Sequence, residues 1–524
     1  MKLFSMFLGG RAKKCNTELH DVVFTCGNRI EETYLDLLDK WFGIPDRLHI
    51  DSWVELSNVD GYKVSLSENK IENNNKLYFI NLGGYDPNKF EELISSSQPD
   101  DLISFTYTSG TTGNPKAGMY TSRNIIASAR YLPEAINVKG DDFYVCFLPL
   151  AHIAERLIGH FIRFFSGHPA AFAESIEDMP QNIRQTGPTV VFGTPRVWEK
   201  FYARIMTGVG DGTWLQKKIF HWAVNVGKTN YEIKETGKKP SVWLKARLSI
   251  ARFLIHDKIK DIFGGRIRTI LTGAAPISKE IIRFFNWVGL DVYEAYGMTE
   301  TSGVITVQSE GKTKIGSVGI PIPGTEIKIM EDGEICCRGE QNIQGYYKNE
   351  EATNELLKPD GKGGFWLHTG DVGHIDEEGY LFITDRKKDI IITAGGKNVA
   401  PQNIENLMKT SPYISQAMVY GDKKPYLTML VTMDEDEITK FARDQKILYQ
   451  DLGDLTKKEE VIKLINHVVK EKNKELASYE SIKKFRILEE ELDQDKDEVT
   501  PTLKVKRKVV TAHNQDLLDG MYGS

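Results

Sequence analysis

Tyr107-Thr108-Ser109-Gly110-Thr111-Thr112-Gly113-Asn114-Pro115-Lys116-Ala117-Gly118-Met119 follows the apolar run Leu102-Ile103-Ser104-Phe105. Five hydroxyl residues (Thr106, Thr108, Ser109, Thr111 and Thr112) crowd around two closely spaced glycines and one lysine. Gly110 and Gly113 let the backbone turn tightly and aim several N–H groups at one point. The hydroxyls add donors and Lys116 adds a positive charge. Such a loop is built to hold phosphate. It is not a Walker loop, because Ala117 follows Lys116 where that motif carries Ser or Thr. A plain surface turn would need both glycines, the proline and the lysine to coincide by accident.

Downstream lie Pro149-Leu150-Ala151-His152-Ile153-Ala154-Glu155-Arg156, Gly273-Ala274-Ala275-Pro276 and Tyr296-Gly297-Met298-Thr299-Glu300-Thr301. His368-Thr369-Gly370-Asp371 comes next, then the segment 379–389 ending in Asp385-Arg386-Lys387-Lys388-Asp389. Pro501-Thr502-Leu503-Lys504-Val505-Lys506-Arg507 closes the set. In this order the segments resemble those of the adenylate-forming enzymes: acyl-CoA synthetases, luciferases and peptide-synthetase adenylation domains. The resemblance covers roughly residues 95–510. The wording around His152 and around Lys504 looks most like long-chain fatty acyl-CoA synthetases of the bubblegum type.

The resemblance implies an ATP-dependent long-chain fatty acid–CoA ligase. A carboxylate attacks the α-phosphorus of ATP and releases pyrophosphate; a thiol then attacks the mixed anhydride and releases AMP. Two anions must meet in the first step, so the site must supply cations and oriented donors. The implied cofactors and co-substrates are ATP, Mg²⁺ and coenzyme A. Thr108, Ser109, Gly110, Thr111, Thr112, Gly113 and Lys116 are expected to grip the β- and γ-phosphates. Glu300, beside Thr299, suits Mg²⁺. Tyr296 offers a ring for adenine, and Gly273, Ala274 and Ala275 are small enough for the base to lie on backbone. Asp371 can accept from both ribose hydroxyls. Arg386 can fork onto ribose or phosphate oxygen, or pair with Asp385 or Asp389.

Lys506 is the candidate catalytic lysine by alignment to the family pattern. Lys504 shares its face if the segment is extended. His152 is expected at the acyl carboxylate, Trp198 at the gate of an acyl tunnel (or equally in the core), and Lys388 at a hinge. Rotation about that hinge would remove Lys506 and bring in Gly395 and Gly396, beside which a pantetheine arm can pass.

The chain has 524 residues, more than one ordinary domain, with 40% hydrophobic and 27% charged residues. Its formal net charge of −6 argues against a nucleic-acid binder. Five cysteines at irregular spacing form no zinc pattern and suit a reducing, cytoplasmic compartment. No apolar run approaches the roughly 20 residues of a membrane-spanning helix.

Alternating strand and helix patterns over 101–330 predict a doubly wound α/β sheet with sites at strand ends. Residues 315–384 predict a small β subdomain. Beyond 385–389 a smaller, mobile α+β domain is expected, so the domains divide as 1–384 and 385–524. Predicted strands include Phe143–Leu148, Thr189–Phe192 and Leu427–Met433; predicted helices include Ile125–Tyr131, Lys279–Trp287 and Val242–Ile262. Residues 1–100 lack the ordered βα repeats expected of the family's first subdomain, so much of it is expected to be absent. Either Met1 is an internal start or the chain is a short form.

Residues 214–268 carry thirteen Lys/Arg against four Asp/Glu, interleaved with Trp, Phe and Leu. Such helices can lie on an anionic membrane, or form an ordinary solvated pair; a fatty substrate favours the membrane. Two other functions stay open: acyl transfer from AMP to a carrier protein, and an inactive relative. The intact set Lys116, Glu300, Asp371, Arg386 and Lys506 speaks against the second.

Overall fold

The computed structural model describes residues 2–10, 19–27, 29–33, 37, 49–56, 58–59, 62–63, 95–108, 115–173, 175, 178–500 and 504–523. They divide into two compact units, Met1–Glu92 and Leu93–Ser524. In the first, Lys2–Gly10 is the middle strand of a three-stranded antiparallel sheet flanked by Leu19–Gly27 and His49–Leu56. Asn58–Val59 and Tyr62–Lys63 pair as a short antiparallel hairpin.

The second unit is organised around a seven-stranded sheet. Its order is Ile320–Pro321, Gly303–Val307, Val292–Met298, Thr269–Thr272, Val190–Gly193, Tyr144–Cys146 and Ala170–Phe172. The five strands from Val292–Met298 to Ala170–Phe172 run parallel, and the first two are antiparallel additions. Parallel strands need crossovers, and the helices that supply them cover both faces. The central strands are accordingly buried along their whole length: Thr269–Thr272 and Val190–Gly193 have no exposed residue. One face packs Trp198, Phe201, Phe263, Phe284 and Phe285 into a single aromatic cluster. The other packs Leu132, Tyr144, Leu157, Phe192 and Tyr293.

The helix Lys279–Trp287 lies where its apolar spacing predicts, burying Ile281, Ile282, Phe284 and Phe285. The helix around Ile125 is longer than expected, Ser122–Ile136. Thr121 and Asn124 close a reciprocal cap at its start, and left-handed Asn137 ends it. The predicted helix over 242–262 forms as Val242–Ala251 and Asp257–Ile262, joined by a wide turn at Arg252–His256.

A second, antiparallel sheet holds Glu326–Ile329, Glu334–Arg338, Phe365–Ile375 and Leu357–Pro359, with Leu381–Arg386 paired to Phe365–Ile375. This is the expected small β subdomain. Further on, Ile414–Tyr420, Leu427–Met433 and Ile482–Ile487 form a three-stranded sheet packed on the helices Pro401–Met408 and Glu459–Asn473. Polar pairs join this part to the rest of its unit. Arg196 donates to the Ser415 carbonyl at 2.7 Å, Lys409 meets Glu199 at 3.1 Å, and Lys472 meets Glu280 at 3.4 Å.

Candidate functional site

The phosphate-loop segment joins two paired strands. Leu102–Tyr107 pairs antiparallel with Ala117–Thr121. Thr108 N–H donates to the Lys116 carbonyl at 2.8 Å, and Lys116 N–H donates to Thr108 Oγ1 at 3.3 Å. These two bonds pinch the loop shut at its base. Ser109, Gly110, Thr111, Thr112 and Gly113 lie outside the described residues.

Thr108 and Lys116 open onto a cleft of about 990 Å³. Of the residues singled out by sequence, His152, Gly273, Ala274, Thr299, Glu300, Arg386 and Lys388 also line it. They come from the ends of parallel strands, from the strand end at Arg386 and from the turn that follows it, as an α/β sheet dictates. Ala274 sits at φ +68, a left-handed conformation rare for a residue with a Cβ, two residues beyond strand Thr269–Thr272. Gly297 crosses so close to Gly303 that a Cβ would lie 1.8 Å from the Gly303 carbonyl oxygen.

Glu300 is buried beneath the cleft and accepts a hydrogen bond from the Tyr346 hydroxyl at 2.6 Å. Burial raises its pKa, against the pull of Tyr346 and of the Arg386 and Lys116 charges. Lys116 Nζ stands 5.2 Å over the Tyr346 ring. Tyr346 therefore ties the loop lysine to the acidic residue. Sequence reasoning missed it, because it sits in a Gly-Tyr-Tyr turn without periodicity. The tertiary signal is that segment 345–347 is laced to Ala117–Thr121 by the Met119 and Tyr347 N–H groups.

His152 caps the short helix Ile153–Glu155: its Nδ1 accepts from the Ala154 N–H at 3.3 Å. Burial lowers its pKa below the ordinary 6.5, so the ring is neutral at pH 7. With Nδ1 accepting, the proton is on Nε2, which is left as a donor. Glu155 and Arg156, quoted above without a role, brace this corner. Glu155 Oε2 accepts from the Phe147 and Leu148 N–H groups at 3.3 and 3.0 Å. Arg156 donates to Ser104 Oγ and the Phe105 carbonyl at 2.6 and 3.0 Å.

Asp371 and Arg386 face each other across the antiparallel pair Phe365–Ile375 and Leu381–Arg386. Arg386 Nε lies 3.2 Å from Asp371 Oδ1, and the Tyr296 hydroxyl donates to Asp371 Oδ2 at 2.7 Å. The Arg386 side chain thus pairs with Asp371, while Asp385 Oδ1 accepts its backbone N–H at 2.6 Å. Tyr296 and Asp371 are buried behind the cleft wall rather than on it.

Two expectations need correction. Lys506 is not in the cleft: its ammonium pairs with Asp497. Lys504 lines the cleft instead. The two lysines do not share a face because extended chain ends between them. Val505 still bridges Val499, whereas Lys506 is already the cap of helix Arg507–His513. Trp198 is fully buried, stacked near Phe201 and Phe263, with Nε1 donating to the Gly193 carbonyl at 3.1 Å. It is a core residue with no face on the cleft. Gly395 and Gly396 form the tight turn between Ile391–Ile392 and Asn398–Val399, away from the cleft lining, with Gly396 at φ +72. Ala275 is also absent from that lining.

Lys504 is deeply set beside Arg386. Burial, then the Arg386 charge, lowers its ammonium from the ordinary 10.5 to about 8, although Asp371, Asp389 and Asp385 pull the other way. Arg507 anchors the segment from below. Its guanidinium grips Glu405 at 2.8 and 3.0 Å and the Val419 carbonyl at 2.8 Å.

Comparison with known proteins decides the family. The model of the AMP-binding enzymes matches residues 22–347, and that of the AMP-binding enzyme C-terminal domain matches 388–524. The chain belongs to the AMP-binding enzyme family. It is 37% identical over 441 residues to a long-chain-fatty-acid–CoA ligase of Mycobacterium bovis, covering 83% of this chain and 72% of that one. It is 33% identical over 520 residues to the long-chain-fatty-acid–CoA ligase ACSBG2 of Rattus norvegicus, covering 93% and 76%. Among solved structures it shares its fold with the adenylation domain of a carboxylate reductase from Mycobacterium chelonae. That likeness has a TM-score of 0.61 at 23% identity and covers 82% of this chain and 61% of that one. Both lobes of this AMP-binding enzyme therefore have counterparts in long-chain fatty acid ligases, the bubblegum type included.

Proposed function

We propose that this chain is an ATP-dependent long-chain fatty acid–CoA ligase that works through an acyl-adenylate. One observation carries this reading: Lys504 and Arg386 stand in the same cleft as Lys116 and Glu300. These three cations and this carboxylate suit a polyphosphate and a carboxylate that must react with each other.

The loop closed by Thr108 and Lys116 holds the β- and γ-phosphates. Asp371 stands behind the cleft wall and holds Arg386, whose guanidinium donates to ribose or phosphate oxygen. Gly273 and Ala274 give the adenine a bare backbone edge. The acid's chain lies along Ile153, Leu157, Ile158, Phe192 and Val304, the apolar side of the cleft. His152 Nε2–H donates to one oxygen of the acid's carboxylate and orients it.

The other oxygen attacks the α-phosphorus, and the bond to pyrophosphate breaks. Lys504 bridges the attacking oxygen and the α-phosphate, where charge accumulates. Glu300 fits Mg²⁺ as its one protein carboxylate. Among the described residues no cluster of three or more His, Cys, Asp or Glu could hold a metal alone, so phosphates and water would complete the shell. Bound there, Mg²⁺ would neutralise the polyphosphate.

In the second step the CoA thiol attacks the acyl carbon, AMP leaves and the thiol proton goes to solvent. We assign that step to a second arrangement, in which 385–524 turns about Lys388, Lys504 withdraws and Gly395-Gly396 approaches. The polar character of the Arg196, Glu199 and Glu280 contacts supports such a turn, since polar contacts exchange readily for water. We place the chain in the cytoplasm, peripheral to a membrane through part of 214–268; no helix among the described residues is long and apolar enough to span one.

The test is AMP release from a panel of fatty acids, short to very long, with and without CoA. Long acids are expected to give AMP only when CoA is present. Absence of ATP–pyrophosphate exchange with every acid, or thioester formed only on a phosphopantetheinyl carrier protein, would overturn the proposal.

The Lys504 environment adds a pH signature. Its ammonium is the active form, and in the free enzyme it loses its proton near 8. The kcat/KM for ATP in the exchange reaction is therefore expected to fall above pH of about 8, because kcat/KM reports the free enzyme. A profile flat to pH 10 in the wild type would assign the charge to another group.

A further inference from the structure

Helix Val242–Ala251 buries Leu244 and Ala251 against helix Trp214–Glu235. Its opposite side is apolar as well. Val242 and Trp243 are each 82% exposed, Phe253 in the following wide turn 78%, and Ile250 52%. With exposed Ala246 they follow the spacing i, i+1, i+4, i+8, i+11, which at about 100° per residue gathers them on one side. Lys245 and Arg252 lie along one margin of this stripe and Arg247 along the other, all exposed. None of the three is in an ion pair among the described residues. A bare Trp and Phe on one helix face are unusual for a surface that meets only water.

Resting on the ligase reading above, we propose that this stripe is the membrane-docking face of the enzyme, and that its partner is an anionic lipid bilayer. The chain is negative overall at −6, yet 214–268 holds thirteen Lys/Arg against four Asp/Glu. That local excess of positive charge complements acidic headgroups, each cation near such a surface adding to the attraction. Val242, Trp243, Ile250 and Phe253 enter the headgroup–acyl boundary while Lys245, Arg247 and Arg252 stay at the phosphates. The helix then lies in the plane of the interface. A long-chain acid dissolves in that same bilayer, so docking brings the enzyme to its substrate instead of relying on traces in water. A second protein would need matching acidic and apolar surface; a bilayer offers both without specific fit.

The full chain is mixed with phosphatidylcholine vesicles with and without phosphatidylglycerol, and bound protein is separated by flotation. Binding is expected only with phosphatidylglycerol and is expected to weaken as salt rises. Trp243→Ser with Phe253→Ser is expected to weaken it by about 30-fold or more, and Lys245→Glu with Arg247→Glu to remove its dependence on phosphatidylglycerol. Both pairs are on the surface, so thermal melts and ATP–pyrophosphate exchange with octanoate in vesicle-free buffer should match the wild type. Failure of exchange in the wild type with every acid, long-chain acids included, would count against the ligase reading, not the docking face. Wild type that ignores anionic vesicles, or an apolar variant that still floats, would overturn the docking face. So would a wild-type dimer that the Trp243 and Phe253 changes convert to monomer without any vesicle binding.

Discussion

Replacing Lys504 by Ala is expected to lower ATP–pyrophosphate exchange by about 10²–10³-fold, the usual loss when one preorganised charge-stabilising group is removed. Thioester formation from pre-made acyl-AMP should survive, because the proposed second arrangement has Lys504 withdrawn. Lys506→Ala is expected to stay within about twofold of wild type in both half-reactions, as for a surface pair lost. Its partner Asp497 is well exposed. The contrast is informative because the two residues are two apart and bear the same charge. Equal loss in both half-reactions for Lys504→Ala would point to folding; a collapse of exchange in Lys506→Ala would return the catalytic role to that residue.

Trp198→Ala is expected to destabilise the Leu93–Ser524 unit by about 3–5 kcal/mol, the range for an emptied core aromatic site. Trp198 is fully buried against Phe201, Phe263 and Phe285, and its indole N–H holds the Gly193 carbonyl at the end of a central strand. Urea unfolding measures the loss directly. Activity towards every chain length should fall together, in proportion to the unfolded fraction. A shift in chain-length preference at unchanged unfolding midpoint would restore the acyl-gate role for this side chain.

These two residues mark the limit of what local sequence can say. Lys504 and Lys506 are equivalent in an extended segment, and the alternation of side chains assigns both to one face. What separates them is the bridge from Val505 to Val499 and the start of helix Arg507–His513, which Arg507 pins to Glu405, 102 positions away. Trp198 follows Gly-Thr-Pro-Arg-Val, a sequence compatible with a cleft wall or a core. Only the convergence of Phe263 and Phe285 from distant helices decides for the core. Tyr346 carries no local pattern, and its link between Lys116 and Glu300 exists only once segment 345–347 is laced to Ala117–Thr121.

By itself the sequence determined the α/β class and most elements in their places: strands Val190–Gly193 and Leu427–Met433, helix Lys279–Trp287, the β subdomain and the α+β part after it. Apolar periodicity and turn residues are local physics, and they are present in the unfolded chain. It also determined which motifs meet, because parallel strands deliver their ends to one edge of the sheet. The tertiary structure decided which lysine enters the cleft, that the Arg386 side chain meets Asp371 rather than Asp385, and which helix face stays bare. Those outcomes depend on burial and on pairings that range from Asp371 with Arg386 in adjacent strands to Glu405 with Arg507, 102 positions apart, and the energy of a buried charge is set by neighbours that sequence distance does not reveal.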